Sequence, residues 1–206
     1  MIALENSICS FDFDADYVLE NKNVLLRPLV AEDMEHLLVF SENEPELWRY
    51  SLIQGGGKEN LKKYLKLAIS GRKNKKEYPF IVFDKIANAY AGSTRFYDID
   101  LYHKTLSLGY TWYGKDFQGT GLNKNCKYLL LEFAFNTRGF ERIEFRADNL
   151  NIRSIAAMKS IGCKEEGVLR SNCVSPGGRR DSIVLSILRN EWEGNVADML
   201  LDKIKE

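Results

Sequence analysis

The chain has 206 residues, and its 29 Lys and Arg are balanced by 29 Asp and Glu, for a formal net charge of zero. That balance supplies no global field for nucleic acid or an anionic membrane, so neither is expected as a partner. The length suits one domain with a sizeable core, at roughly 100–200 residues per domain. Cys9, Cys126, Cys163 and Cys173 are scattered without a C-x-x-C pair, which favours reduced thiols over disulfides, and no residues stand at metal-ligand spacing. No apolar run approaches the ~20 residues that span a bilayer. Met1 to Asp16 lacks a basic start and a continuous apolar stretch, and a cytoplasmic protein, monomeric or homodimeric, is expected.

Residues 1–16, with Phe11-Asp12-Phe13-Asp14, have no clear periodicity and read as an N-terminal extension ahead of a single domain over 17–206. Val24 to Leu29 reads as a strand, and Ala31-Glu32-Asp33 opens a helix with Met34, Leu37, Leu38 and Phe40 inward. Gly55-Gly56-Gly57 reads as a flexible joint before a helix from about Glu59 to Ser70, striped by Leu61, Leu65, Ala68 and Ile69. The run Arg72 to Glu77 reads as a solvated loop. Pro79 to Asp84, Ala89 to Tyr97 and Leu106 to Tyr113 form an expected antiparallel meander. Then follow helix, strand, helix, strand and strand, closed by a helix from Glu191 to about Ile204. An antiparallel front half joined to a β-α-β-α-β back half predicts an α+β fold, a mixed and mostly antiparallel central sheet with helices on both faces.

Gln118-Gly119-Thr120-Gly121-Leu122-Asn123 lies between the aromatic strand ending at Tyr113 and a helix marked by Leu122, Cys126, Leu129, Leu130, Phe133 and Ala134. Glycines let backbone approach a diphosphate, and the unpaired N–H groups of a helix's first turn point at its oxygens. The P-loop string G-x-x-x-x-G-K-[ST] is absent, and the dinucleotide fingerprint lacks its third glycine. Downstream come Asn151-Ile152-Arg153-Ser154, Lys159-Ser160-Ile161-Gly162, Glu166-Gly167-Val168-Leu169-Arg170, Gly178-Arg179-Arg180-Asp181 and Glu191-Trp192.

This ordered set resembles the GCN5-related N-acetyltransferases, and within them the RimJ/RimL type, over about Tyr17 to Trp192. Gln118 and Gly121 fit the family's Q/R-x-x-G-x-G/A loop, with Asn123 in place of the last small residue. The resemblance implies acetyl-CoA as cofactor and an amine acceptor, either a protein N-terminus or a small molecule. It places Tyr110, Thr111, Trp112, Gln118, Gly119, Thr120, Gly121, Leu122, Asn123 and Asn151 at the cofactor. Main-chain N–H groups of Tyr110, Thr111 and Trp112 are candidates for polarising the acetyl carbonyl, while their side chains read better as core. Asn151 reads both as a helix N-cap and as a pantetheine partner.

The helix after Asn151 lacks the tyrosine that many relatives use as acid, which shifts that role to Ser154; a plain cap there would leave Cys173, Tyr97 or solvent. Ser107-Leu108-Gly109 puts serine where relatives carry the carboxylate of E-x-G. The base is then a water chain ending at a carbonyl or at a carboxylate such as Asp98 or Glu44, whereas His36 and His103 read as structural or exposed. Trp48-Arg49-Tyr50, the Gly55 joint and the loop after Arg170 would wall the acceptor site. The missing carboxylates keep a reading from another class open, a catalytically idle acyl-CoA-binding module or sensor.

Overall fold

A computed structural model describes residues 9–205. Strands β1 (Leu19–Glu20), β2 (Val24–Pro28), β3 (Glu77–Asp84), β4 (Ala89–Asp100), β5 (Thr105–Tyr113), β6 (Arg142–Asp148), β7 (Lys164–Ser175) and β8 (Gly178–Leu188) form one sheet in the order β1-β2-β3-β4-β5-β6-β8-β7. Each neighbouring pair is antiparallel except β5–β6, whose connection carries a helix across the sheet, as parallel neighbours require. The parallel ladder is short: Thr105, Leu106 and Ser107 face Arg142, Ile143 and Glu144, and beyond them the two strands part.

Helices α1 (Met34–Asn43) and α2 (Lys58–Lys73) cover one face. Their Leu37, Phe40, Leu61, Tyr64, Leu65 and Ala68 pack with Ile81 and Trp112 into one core. On the other face lie α3 (Leu122–Glu132), α4 (Ile152–Ser160), α5 (Arg189–Glu191) and α6 (Ala197–Lys205). Leu122, Cys126, Leu130 and Leu131 of α3 bury against Phe96, Leu108 and Phe145 in a second core. The expected closing helix is interrupted: a π turn over Trp192–Val196 separates α5 from α6, and another extends α3 over Phe133–Thr137. The two π turns meet where Phe135 stacks on Trp192 at 5.7 Å.

Two expectations need correction. The charged run is a solvated turn only at Asn74, Lys75 and Lys76, since Arg72 and Lys73 complete α2 and Glu77 begins β3. Arg72 donates from Nε to the Phe13 carbonyl at 2.8 Å and from Nη2 to Ala15 at 2.8 Å and Asp16 at 2.7 Å, and its guanidinium lies over Tyr78. A fork of donors finds carbonyls on a neighbouring chain segment as readily as it finds water. Gly55 is not a flexible joint either. A Cβ there would lie 2.4 Å from the Trp48 ring, and Ser41 Oγ donates to its carbonyl at 2.5 Å, so glycine serves close approach.

Phe11 and Phe13 are buried in the larger core, where the Phe11 ring meets Phe13 at 5.0 Å and Tyr17 and Tyr78 at 5.4 Å. Residues 1–8 of the extension lie outside the described residues. Truncating a buried aromatic removes its transfer free energy and leaves a cavity. Phe11→Ala is therefore expected to destabilise the fold by about 3–5 kcal/mol in urea titration; a loss below about 1 kcal/mol would mean that the segment rests loosely on the surface.

Candidate active site

The sheet is prepared at the point where β5 leaves β6. Arg95 faces Gly109 and Ser93 faces Trp112, so Tyr110 and Thr111 together oppose Thr94 in a bulge, with Tyr110 at φ 50°. A tyrosine in the left-handed region needs an external hold. Arg95, 1% exposed, supplies it: its guanidinium lies 4.1 Å over the Tyr110 ring and 4.8 Å over Tyr64, and Nη1 donates to Glu77 at 2.6 Å. Tyr64 adds a 3.3 Å hydrogen bond to the Tyr110 carbonyl. The bulge therefore sits on the stretch of β5 whose outer edge has no β6 partner.

The glycine loop follows. Gln118 Nε2 donates to the Tyr113 carbonyl at 2.6 Å, and Thr120 Oγ1 donates to Phe117 at 2.9 Å, which fixes the loop against the end of β5. Gly119 and Gly121 hold φ 82° and 89°, and a Cβ at either would meet nothing within 4 Å. The space before the loop is open. Gly121 is the N-cap of α3 and makes no side-chain cap, so, apart from the Leu122 N–H with its long 3.4 Å bond to Thr120 Oγ1, the first-turn N–H groups and the positive helix end face that space. Behind the turn, Asn125 Nδ2 donates to Gly121 O at 3.2 Å while its Oδ1 accepts from Asn21 at 2.9 Å. Leu122 is buried and Asn123 half-buried in the first turn.

Asn151 caps α4, its Oδ1 accepting from Ser154 N at 3.1 Å. Ser154 Oγ, half-buried, has no hydrogen-bond partner among the described residues. Trp112 buries its side chain against Phe40 and Trp48, which leaves its main chain as the part that can face a cofactor.

On the α1–α2 face, just where the parallel ladder ends, a cleft of about 180 Å³ is lined by Asp98, Thr105, Ser107, Arg142, Glu144 and Arg146. Glu144 stands in register with Ser107 and accepts from Arg142 at 3.0 Å and Arg146 at 2.6 Å. Glu144 was not expected here, because a lone acid in a strand gives no signal until the strand register is known. Of the two carboxylates that were expected, Asp98 lines this cleft. Glu44 does not, being engaged with the Lys115 N–H at 2.7 Å. Tyr97 borders the same region, its ring 3.0 Å from where a Gly109 Cβ would be, and burial pushes its hydroxyl up to about 12. Cys173 lies half-buried in β7. His36 stacks on Tyr90 at 4.0 Å and His103 is exposed in a turn, so neither joins the site. Of the expected acceptor walls, Tyr50 offers its carbonyl to Arg180 Nη1 at 3.3 Å, linking the α1–α2 loop to β8.

Lys127 of α3 was not expected either. It occupies the apolar stripe of Leu130, Leu131 and Ala134, is 5% exposed, and donates to Thr111 Oγ1 at 2.7 Å and Thr94 Oγ1 at 3.4 Å. Among the described residues it has no carboxylate partner. Burial pulls its ammonium down from 10.5 to about 8, opposed in part by the neighbouring Cys126 and Cys163.

A sheet parted between two parallel neighbours, with a glycine-capped helix beside the gap, is the architecture of an acyl-CoA-dependent acyltransferase. The chain belongs to the GCN5-related N-acetyltransferase family, whose acetyltransferase (GNAT) domain model matches residues 23–164. It is an N-acetyltransferase by that membership, and the family uses acetyl-CoA. It is 30% identical over 103 residues to the provisionally named ribosomal N-acetyltransferase YdaF of Bacillus subtilis (strain 168), covering 50% of this chain and 56% of that protein. A provisionally assigned acetyltransferase from T. thermophilus superimposes with a TM-score of 0.83 at 30% identity, over 95% of this chain and 98% of its own. The fold is also that of the microcin C7 self-immunity acetyltransferase MccE, solved in complex with acetyl-CoA and AMP, with a TM-score of 0.72 at 22% identity over 82% of this chain and 93% of that one.

The folded protein holds Lys127 at a lower pKa than the unfolded chain, so the penalty for its charge is full below about pH 8 and vanishes as pH rises toward 10.5. Lys127→Met is expected to be more stable than the parent at pH 7, by up to about 3 kcal/mol, with the gain shrinking by pH 10. Urea denaturation at both pH values checks this, and a variant less stable at each would mean that the lysine supports the fold.

Proposed function

We propose that this N-acetyltransferase transfers the acetyl group of acetyl-CoA to a primary amine, with a protein N-terminal amine as the preferred acceptor. The observation that carries the cofactor reading is the unpaired edge of β5 from Leu108 to Tyr113, running beside the open, uncapped N-terminus of α3. A pantetheine arm presents amides, which suit a free strand edge, and a diphosphate suits first-turn N–H groups beside glycines in open space. Acetyl-CoA supplies an activated acyl group as a thioester. The protein supplies the rest.

In this reading Gly119, Thr120, Gly121, Leu122 and Asn123 hold the diphosphate, and Gln118 keeps the loop folded against Tyr113. The main-chain N–H groups at the bulge of Tyr110, Thr111 and Trp112 polarise the acetyl carbonyl, since preorganised backbone dipoles need no reorganisation as charge develops. Asn151 orients α4 toward the pantetheine, and Ser154 Oγ, without a hydrogen-bond partner among the described residues, relays a proton from solvent to the departing sulfur.

The acceptor enters from the α1–α2 face, where Asp98 and Glu144, with Arg142 and Arg146 beside them, line the cleft and can accept hydrogen bonds from an amine. Glu144 takes a proton from it through water, because the two arginine hydrogen bonds fix its carboxylate and leave lone pairs for a further donor. The name of YdaF, a ribosomal N-acetyltransferase, supports a protein N-terminus as acceptor.

Gly121→Glu places a side chain and a negative charge in the diphosphate seat. Loss of two charge-assisted hydrogen bonds at ~1.5–3 kcal/mol each should weaken acetyl-CoA binding at least a hundredfold by calorimetry. Thiol release with N-terminal peptides and small amines as acceptors then separates catalysis from mere binding. Unchanged affinity in the variant would refute the cofactor seat, and binding without thiol release for any amine would favour an idle module.

The two proton roles separate by kinetics. Ser154→Ala should lower kcat about ten- to a hundredfold with acetyl-CoA affinity preserved, because its interaction develops with charge on sulfur. Glu144→Gln should lower kcat/KM for the amine by about a hundredfold, with the loss easing as pH rises and free amine becomes abundant. Full activity in either variant would remove that residue from its role.

A further inference from the structure

Lys127 is a charge in the wrong place for stability, and its surroundings point to what it serves. The amine lies beneath the bulge of β5, hydrogen-bonded to Thr111 Oγ1 at 2.7 Å and more weakly to Thr94 Oγ1 at 3.4 Å. The two threonine hydroxyls are 2.8 Å apart. The other titratable groups that face it are Cys126 from its own helix and Cys163 from the turn before β7, both buried thiols pushed up to about 12 by burial and so neutral. An ammonium without a carboxylate partner in such surroundings carries a strong field into whatever lies against it.

The hydrogen-bond directions give that field an outlet. Lys127 has only donors, so Thr111 Oγ1 accepts from it. Thr94 can direct its hydrogen to Gly109 O, 3.4 Å away, or to Thr111 Oγ1. Thr111, a residue of the bulge on the unpaired stretch of β5, can then turn its own hydrogen from its long 3.5 Å contact with Gly109 O to a better-placed acceptor.

We propose that Thr111 Oγ, polarised by Lys127, is the group that stabilises the coenzyme A sulfur as a thiolate when the acetyl group leaves. This rests on the cofactor reading above. The acceptor nitrogen forms its bond to the acetyl carbon, the carbon–sulfur bond breaks with its electron pair on sulfur, and the proton shed by the nitrogen passes to solvent through the base. Thr111 donates a hydrogen bond to the anionic sulfur while accepting one from Lys127. Lys127 is the positioning residue of the pair, acting through Thr111, and Ser154 relays the final proton to sulfur from solvent on the α4 side, taking one up as it passes its own on. Lys127 is cationic near neutral pH and a thiol ionises near about 8.5, so an ammonium and a thiolate can face each other across Thr111.

The test compares coenzyme A, whose sulfur can ionise, with acetyl-CoA, whose sulfur cannot. Calorimetric titration of the parent, Lys127→Met and Thr111→Val at pH 7, 8 and 9 gives the ratio of the two affinities without any acceptor amine. Thr111→Val preserves shape and keeps the test valid should Lys127→Met fold poorly. At pH 8 the parent should favour coenzyme A over acetyl-CoA by roughly tenfold more than either variant does, the value of one charge-assisted hydrogen bond. The ultraviolet absorbance of bound thiolate should also appear at lower pH in the parent than in the variants. If all three proteins bind both compounds with one ratio at every pH, the thiolate site is refuted while the cofactor reading stands. If the parent binds neither compound, both fall together.

Discussion

The structure depends on the parting of β5 from β6 after three parallel residue pairs. A parallel pair inside a sheet would ordinarily continue its ladder, because buried main-chain N–H and carbonyl groups without partners carry a penalty of the order of a hydrogen bond. Here the ladder stops at Ser107 and Glu144, and the bulge at Tyr110 and Thr111 holds β5 in a shape that cannot rejoin β6. The clamp of Arg95 between Tyr64 and Tyr110, anchored to Glu77, fixes that shape from the α1–α2 side. What the sheet gives up in self-pairing it offers to a ligand of amide character.

Polarity is distributed around the gap in a consistent way. One end is the positive terminus of α3, with glycine at its N-cap and open space before it. A buried ammonium lies beneath the bulge, and the cleft on the α1–α2 side of the vertex holds Glu144 and Asp98 with Arg142 and Arg146. In the proposed reading the anionic donor is drawn to one end of the gap and the amine enters at the other, with the reacting atoms meeting at the bulge. Lys127 is unfavourable for the fold at neutral pH, and sites that carry such a penalty are commonly functional.

Much of this was legible in the sequence, for physical reasons. Alternation and β-branched content marked β2 through β5, and the glycine loop between a strand and a periodic helix marked the α3 N-terminus, because each is a local pattern. The Asn151 cap was readable for the same reason. Residues whose meaning depends on distant partners were not. Arg95 looks like any solvated arginine until Tyr64, Tyr110 and Glu77 converge on it, and Glu144 acquires its place only through register with Ser107. Lys127 did leave a trace, a lysine three and four residues before Leu130 and Leu131 on an apolar stripe. Charged side chains are read as exposed by default, and that default concealed all three, as it concealed the anchoring of Phe13 and Ala15 by Arg72.

If the free edge of β5 docks the acyl donor, amide hydrogen exchange over Leu108 to Tyr113, measured with and without acetyl-CoA, reads that docking at the atoms involved. Exchange at the bulge should be rapid in the free protein. Adding acetyl-CoA should slow it markedly there and in the first turn of α3, with little change in the β7–β8 hairpin tip. Binding that leaves exchange at the bulge unaltered would show that the donor docks elsewhere.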